Sequence, residues 1–154
     1  MSARHSHLLV ALDDSEGAQQ ALSHAVAWAA QTGAQLTLLH VVQPWGYVTG
    51  FESAMAALDE MRPLMREAGE KMLAQGCTQA LAQGVKAKAL LWLPGQAAPR
   101  RLWDIIDQEA REAGADLVVL GRGGTGAGRA HLGPVAEQML RHASLPVLLV
   151  GRPG

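Results

Sequence analysis

Short apolar runs alternate with amphipathic segments along almost the whole chain. Five of the runs have the length and composition of buried strands. They cover residues 5–12, 35–42, 85–93, 116–120 and 146–150. The segments between them carry apolar residues at helical spacing, over residues 18–29, 55–72, 102–114 and 134–142. This repeated alternation predicts an α/β fold, in which helices cover both faces of a parallel sheet.

Residues near the ends of these segments indicate where the helices begin and end. Asp14 or Ser15 can cap the first helix, and Gly33 can end it. Pro63 lies inside the second helical segment, so we expect it to kink that helix or split it into two. In folds of this class, ligands bind beyond the carboxyl ends of the strands, where the strand order reverses.

Composition excludes several classes of protein. The chain has 154 residues, 49% of them hydrophobic and 18% charged, so we expect one globular domain over residues 1–154. The formal net charge of −1 gives no electrostatic reason to expect nucleic acid or a membrane surface as a partner. Because there is one cysteine, Cys77, and neither a signal peptide nor an apolar run of membrane length, we expect a cytoplasmic protein.

The main candidate for chemistry is the glycine-rich stretch GRGGTGAGRAHLGPVAEQML, which runs from Gly121 to Leu140. Three of its glycines spell the dinucleotide fingerprint G-x-G-x-x-G, but no acidic residue follows about 20 positions later to bind a ribose. A P-loop is excluded because Arg129 and Ala130 stand where that motif needs Lys and Ser or Thr. The glycines therefore either turn the chain or cradle an anion in another way.

Four segments of the chain resemble the universal stress proteins, in the same order as in that family. They are LLVALDDSEGAQQAL, TLLHVV, ADLVVLGRGG and GPVAEQMLRHASLPVLLV. The resemblance covers nearly the whole chain, and residues 44–80 match least. It implies an open, adenine nucleotide alpha hydrolase-like sheet of five parallel strands in the order 3-2-1-4-5. It also implies a homodimer, which we expect to pair through the fifth strand, Pro146 to Val150.

ATP-binding members of the family carry a glycine motif: G, two residues, G, nine residues, G, and then Ser or Thr. By resemblance, Gly121 and Gly124 match the first pair and Gly133 matches the last glycine. Only eight residues separate Gly124 from Gly133, and Pro134 replaces the Ser or Thr. Pro134 removes one N–H and the hydroxyl that the family uses on phosphate. Since each such bond contributes roughly 0.5–3 kcal/mol, we expect binding to be weakened by about tenfold to several hundredfold.

The resemblance also implies contacts to the nucleoside. Asp13 ends the first strand and approaches the adenosine end of the ligand, where a carboxylate can accept bonds from a ribose or an adenine amine. Its alternative role is to cap the following helix, a role that suits Asp14 or Ser15 better. Backbone groups near Val41, at the end of the second strand, contact adenine.

Three residues of the glycine loop can compensate for Pro134. Arg122 and Arg129 can bind phosphate and Thr125 can supply a hydroxyl, although both arginines fit equally well as solvated loop residues. Val135, which follows Pro134, completes the predicted set of nucleotide-binding residues.

Histidine and aromatic residues point to no further site. His40 lacks a partner at the spacing of metal ligands, so packing at the end of the strand is the favoured interpretation. Trp45, Tyr47 and Phe51 can cover an adenine face, a partner protein or the sheet itself, and these alternatives stay open.

Two functions remain after these observations. The first is a stress-response protein that binds ATP, ADP or AMP, with or without Mg²⁺, and acts as a sensor or as a switch for an unknown protein partner. The second is a protein of the same fold that binds no nucleotide and acts as a dimeric interaction module. Because we find no catalytic nucleophile–base pair and no metal cluster in the sequence, we expect at most slow ATP hydrolysis.

Overall fold

The structure of this chain is a computed structural model that describes residues 4–43, 51–95, 100–123 and 132–151, with the backbone alone over residues 51–59. The strands in this part of the chain are β1 (His7–Ala11), β2 (Gln35–Val41), β3 (Ala87–Trp92), β4 (Leu117–Gly121) and β5 (Val147–Val150). The helices are α1 (Glu16–Thr32), α2 (Phe51–Leu81), α3 (Leu102–Glu112) and α4 (Pro134–His142). Strands and helices alternate as the apolar pattern predicts.

The strands form one parallel sheet in the order β3-β2-β1-β4-β5, which confirms the predicted α/β fold and strand order. β1 is central, with Leu8 opposite Leu36 of β2 and Leu117 of β4. The chain adds β2 and β3 on one side of β1 and then returns to add β4 and β5 on the other. The strand order therefore reverses between β1 and β4, and a crevice is expected at their carboxyl ends.

Helices cover both faces of the sheet. Leu8 and Val10 of β1 pack on one face with buried residues of α1 and α2. Leu9 points the other way, because side chains alternate along a strand, and packs with Ile106 of α3 and Met139 of α4. Burial on both faces explains why β1 is a continuous apolar run rather than an alternating one.

α1 begins and ends at residues that the sequence indicates. Ser15 is the N-cap, and its Oγ accepts a hydrogen bond from the Ala18 N–H at 3.1 Å. Gly33 ends the helix with φ of 75°, a left-handed conformation that glycine adopts without steric cost. The buried face of α1 is rich in alanine, which lets the helix lie close to the sheet.

α2 is continuous through Pro63. The helix runs from Phe51 to Leu81 with Pro63 inside it, so of the two expected outcomes, a kink or a split, the split into two helices is wrong. Pro63 is exposed, and the carbonyl that loses its N–H donor there can bond to water instead. Farther along, Gly69 lies so near the sheet that a Cβ on it would be 2.8 Å from the His40 ring. Packing on the sheet therefore stabilises the helix beyond the proline.

A buried carboxylate fastens α3 to the chain that follows α4. Asp107 accepts hydrogen bonds from the N–H of Ser144 at 2.8 Å and from its hydroxyl at 2.9 Å. It also accepts a bond from Arg111 Nε at 3.2 Å, so the buried charge is well compensated. These bonds hold α3 and α4 in place and thereby position Ile106 and Val135 at the crevice.

A polar cluster lies at the amino-terminal ends of β1 and β4, at the end of the sheet opposite the crevice. Asp116 accepts bonds from the N–H groups of Ser6 and His7 at 2.8 and 3.1 Å. Burial would raise the pKa of Asp116, but hydrogen bonds from Ser6 and His7 outweigh it and hold the pKa below its usual value. His7 is buried, and its Nε2 lies 2.7 Å from Thr37 Oγ1. Burial lowers the pKa of His7, with Asp116 opposing the shift and Lys88 adding to it.

Candidate functional site

A pocket of about 270 Å³ lies at the carboxyl ends of β1 and β4. Its lining in the described residues comes from the ends of β1, β2 and β4, from one side of α3 and from the starts of α1 and α4. The volume is near the lower end of the range for small-molecule sites, which is roughly 300–1,000 Å³. The pocket therefore occupies the place where the topology predicts a ligand.

The end of β1 places one carboxylate at the pocket. Asp13 Oδ1 accepts a hydrogen bond from the Ser15 N–H at 2.8 Å, which fixes the side chain. Asp13 is exposed and lines the pocket, and its other oxygen bonds to none of the described residues. Because Ser15 caps α1, Asp13 does not fill the alternative capping role and can accept a bond from a ligand hydroxyl or amine.

The end of β2 forms another wall. Val41 lines the pocket together with Leu102 and Ile106 of α3, so this part of the lining is apolar. His40 Nδ1 lies 2.8 Å from the Leu12 carbonyl oxygen, to which the ring N–H donates. His40 thus links the ends of β1 and β2, in agreement with the strand-end role that the sequence favours.

The end of β4 contacts the first turn of α1 backbone to backbone. A Cβ on Gly121 would lie 2.6 Å from the carbonyl oxygen of Gly17, a distance that real side chains do not reach. A Cβ on Gly17 would in turn lie 3.0 Å from the Gly123 carbonyl oxygen. Glycine at both positions therefore lets β4 and α1 meet at the base of the pocket.

α4 directs its amino-terminal end at the pocket. Gly133 is the N-cap, and its N–H already donates to the Arg122 carbonyl oxygen at 2.9 Å. Pro134 occupies the first helical turn and has no N–H. The N–H groups of Val135 and Ala136 have no acceptor within the helix, and both residues line the pocket. These two amides, at the positive end of the helix dipole, are the donors that α4 offers an anion.

The predicted site residues divide into three groups. Asp13, Val41, Gly121, Gly133 and Val135 all line this pocket, although they come from distant parts of the sequence. Arg122 is exposed and does not line it, and its side chain lies beside Gly151 after β5. Gly124, Thr125, Arg129, Trp45 and Tyr47 lie outside the described residues, as does the side chain of Phe51.

Sequence reasoning missed several residues in the pocket or in contact with its lining. Gly17 meets Gly121 but does not itself line the pocket. It had a local signal, since glycine is unfavourable within a helix and its presence there suggests a close contact. Gln43 lies two residues after Val41 and was within reach of the same argument. Leu102 and Ile106 were assigned to a helix, but nothing in the sequence indicates that their side chains reach the end of β1.

Within the described ranges, no group of three or more His, Cys, Asp or Glu side chains could hold a metal ion. No helix in that part of the chain is both long and apolar enough to cross a membrane.

Comparison with known proteins identifies the family. A family model described as the universal stress protein family matches residues 5–151. The chain belongs to this family. It is 30% identical over 149 residues to the universal stress protein YxiE of Bacillus subtilis, and the alignment covers 93% of this chain and 97% of YxiE.

Solved structures share the fold of this chain, one of them a universal stress protein and another a protein described as hypothetical. A family member from Burkholderia pseudomallei is 29% identical, with a TM-score of 0.69 over 95% of this chain and 96% of that chain. The protein MJ0577 is 23% identical, with a TM-score of 0.81 over 99% of both chains.

Two further solved structures contain an adenine nucleotide. The universal stress protein of Archaeoglobus fulgidus is in complex with dAMP; it is 20% identical, with a TM-score of 0.61 over 96% of this chain and 98% of that chain. A family protein of Arabidopsis thaliana has AMP bound; it is 20% identical, with a TM-score of 0.64 over 97% of this chain and 93% of that chain. At this identity, the similarity to this chain is one of fold.

Proposed function

We propose that this universal stress protein binds an adenine nucleotide in the crevice between β1 and β4 and acts as a sensor or partner-binding switch. The observation that carries the proposal is the convergence of Asp13, Val41, Gly121, Gly133 and Val135 on one pocket. The complexes of fold relatives with AMP and dAMP support the choice of ligand.

Each wall of the pocket suits one part of such a ligand. Val41, Leu102 and Ile106 form an apolar surface against which a base can pack. The free oxygen of Asp13 can accept a bond from a ribose hydroxyl. The amides of Val135 and Ala136 can donate to a phosphate oxygen.

Among the described residues, the pocket offers a phosphate few hydrogen-bond donors for a nucleotide site. The Gly133 N–H is already bonded to Arg122, and Pro134 supplies neither an N–H nor a hydroxyl. We therefore expect ATP to bind with micromolar to millimolar rather than nanomolar affinity. The nucleoside part of the ligand then contributes a large share of the binding free energy.

Calorimetric titration with AMP and ATP tests the proposal, with Asp13→Asn as the variant. Asparagine retains an oxygen for the Ser15 N–H and removes the charge. We expect AMP binding to weaken by about five- to tenfold, since hydrogen bonds to charged groups are stronger than neutral ones by about 1 kcal/mol. Asp14→Asn is the matched control, because Asp14 is exposed and does not line the pocket. Equal weakening by both variants contradicts the assigned role of Asp13.

The alternative function is an interaction module that binds no nucleotide. Two features at the start of α4 favour this alternative: the Gly133 N–H is already bonded, and Pro134 has no N–H. Both reduce the number of donors available to an anion. If millimolar AMP and ATP produce neither heat nor a shift in Tm, the alternative replaces the nucleotide proposal.

A further inference from the structure

Gln43 lies on the side of the pocket opposite the glycines at the end of β4. Gly121 and Gly123 lie at the end of β4, whereas Gln43 follows β2. β1 separates the two strands, so these walls are about 10 Å apart, or two strand spacings. A nucleotide whose phosphate lies at the start of α4 therefore extends its base toward β2.

The backbone directs Gln43 toward the pocket. Val42 donates its N–H to the Trp92 carbonyl oxygen at 3.0 Å, so the pairing of β2 with β3 continues one residue past the end of β2. Side chains alternate along an extended segment, which places Gln43 on the same side as Val41 and opposite to the buried Val42. Val41 and Gln43 both line the pocket, in agreement with this alternation.

Gln43 differs from the other polar side chains of the pocket in its hydrogen bonding to the described residues. Among the polar side chains that line the described part of the pocket, Ser15 is engaged in capping α1, and Asp13 is bound through one oxygen at the end of β1. The side-chain amide of Gln43 bonds to none of the described residues. It is half-buried beside apolar Val41 and offers a donor and an acceptor together.

We propose that Gln43 recognises the edge of the base, by pairing its amide with a neighbouring donor and acceptor of adenine. This inference rests on the proposed nucleotide function and names the residue that selects the base. Adenine presents its amino group next to a ring nitrogen, and a glutamine amide can bond to both at once. A backbone contact near Val41 cannot be altered by substitution, whereas this one can.

Gln43→Glu is the variant that separates base recognition from general packing. A carboxylate accepts from the adenine amino group but repels the lone pair of the ring nitrogen beside it. Guanine, by contrast, presents two neighbouring N–H donors that a carboxylate can accept together. An amide can also rotate to match guanine, so the substitution to glutamate is more informative than the wild-type preference alone.

Calorimetric titration with AMP and GMP measures the effect as the ratio of the two Kd values. Both ligands carry the same phosphate, so the added negative charge cancels in the ratio. We expect Gln43→Glu to shift the ratio of the two Kd values toward GMP by about tenfold or more. A bidentate contact discriminates between bases by about 5- to 150-fold, so a change of this size is in range. Gln83→Glu is the matched control. Gln83 is exposed and lies between the end of α2 and the start of β3. It is therefore near the amino-terminal ends of the strands, whereas the pocket lies at their carboxyl ends.

The possible results are distinct. A ratio shifted by Gln43→Glu and unchanged by Gln83→Glu supports the inference. If wild-type protein binds AMP and Gln43→Glu retains the wild-type ratio, Gln43 does not recognise the base, while the nucleotide function stands. If wild-type protein binds neither AMP nor GMP at millimolar concentration, the proposed function fails and the inference fails with it. A thermal melt of each variant shows that the fold is intact.

Discussion

Among individual residues, Gly121 shows how one missing side chain shapes the crevice. A Cβ at this position would meet the Gly17 backbone at 2.5–2.6 Å, and neither main chain can move without displacing α1 or β4. We expect Gly121→Ala to lower the free energy of unfolding by about 1–3 kcal/mol, as overpacking does in a close-packed interior. Chemical denaturation measures this change.

The matched control for that substitution is Gly151→Ala. A Cβ on Gly151 would lie 3.1 Å from Cδ of Arg122, a flexible side chain that can move aside. We expect a much smaller loss of stability than for Gly121→Ala. If the two variants unfold at the same denaturant concentration, the contact between Gly17 and Gly121 does not limit the packing of α1 on β4.

Polar contacts at the strand ends stabilise the pairing of strands, in addition to apolar packing on the faces of the sheet. His7 begins β1 in a buried position, and its lowered pKa means that the folded protein binds a proton less readily than the unfolded chain. Its contribution to stability is complete above the ordinary value of 6.5 and is lost as the pH falls through 6.5 toward the folded pKa. The lowered pKa of Asp116 also makes the folded protein less stable as the pH falls, but only below 3.8, the ordinary pKa of an aspartate.

We therefore expect the free energy of unfolding to decrease between about pH 7.5 and about pH 5.5. His7→Gln removes the titrating group, so its unfolding free energy is predicted to change less over this interval. Urea denaturation at several pH values provides the measurement. His24→Gln is the control, since His24 is exposed on α1. We expect this variant to retain the wild-type dependence of the unfolding free energy on pH. A slope that both variants share would contradict the role assigned to His7.

Considered as a whole, the sheet that the described residues form has two edge strands, β3 and β5, which differ in character. β3 exposes Lys88 and Ala89, and a charged residue on an edge discourages pairing with another sheet. β5 consists of four apolar residues, all half-buried, and pairs on one side with β4. An apolar edge of this kind favours association, so we propose that two copies pair through β5.

The mass in solution tests this proposal. We expect wild-type protein at tens of micromolar to have twice the mass of one chain by light scattering. Leu149→Lys places a charge on β5 and should yield monomer, whereas Leu140→Lys, on an exposed position of α4, should not. A monomeric wild-type protein, or a dimer that Leu149→Lys leaves intact, argues against pairing through β5.

Local patterns were sufficient for much of this fold. Runs such as HLLVA in β1 are buried on both faces, so their continuous apolar character was readable without any partner in view. Ser15 and Gly33 mark the limits of α1 through bonds and dihedral angles that involve neighbouring residues only. The strand order, by contrast, came from resemblance to a family, because no local pattern records which strands lie side by side.

Long-range packing determined the remainder. The continuity of α2 past Pro63 depends on contacts between the helix and the sheet, which outweigh the local preference for a break. Gln43, Leu102 and Ile106 share a pocket with Asp13 because the reversal of strand order brings the ends of β1, β2 and α3 together. Apolar periodicity reports how each segment is buried but carries no information about which segments meet. The walls of the crevice are therefore a property of the assembled sheet.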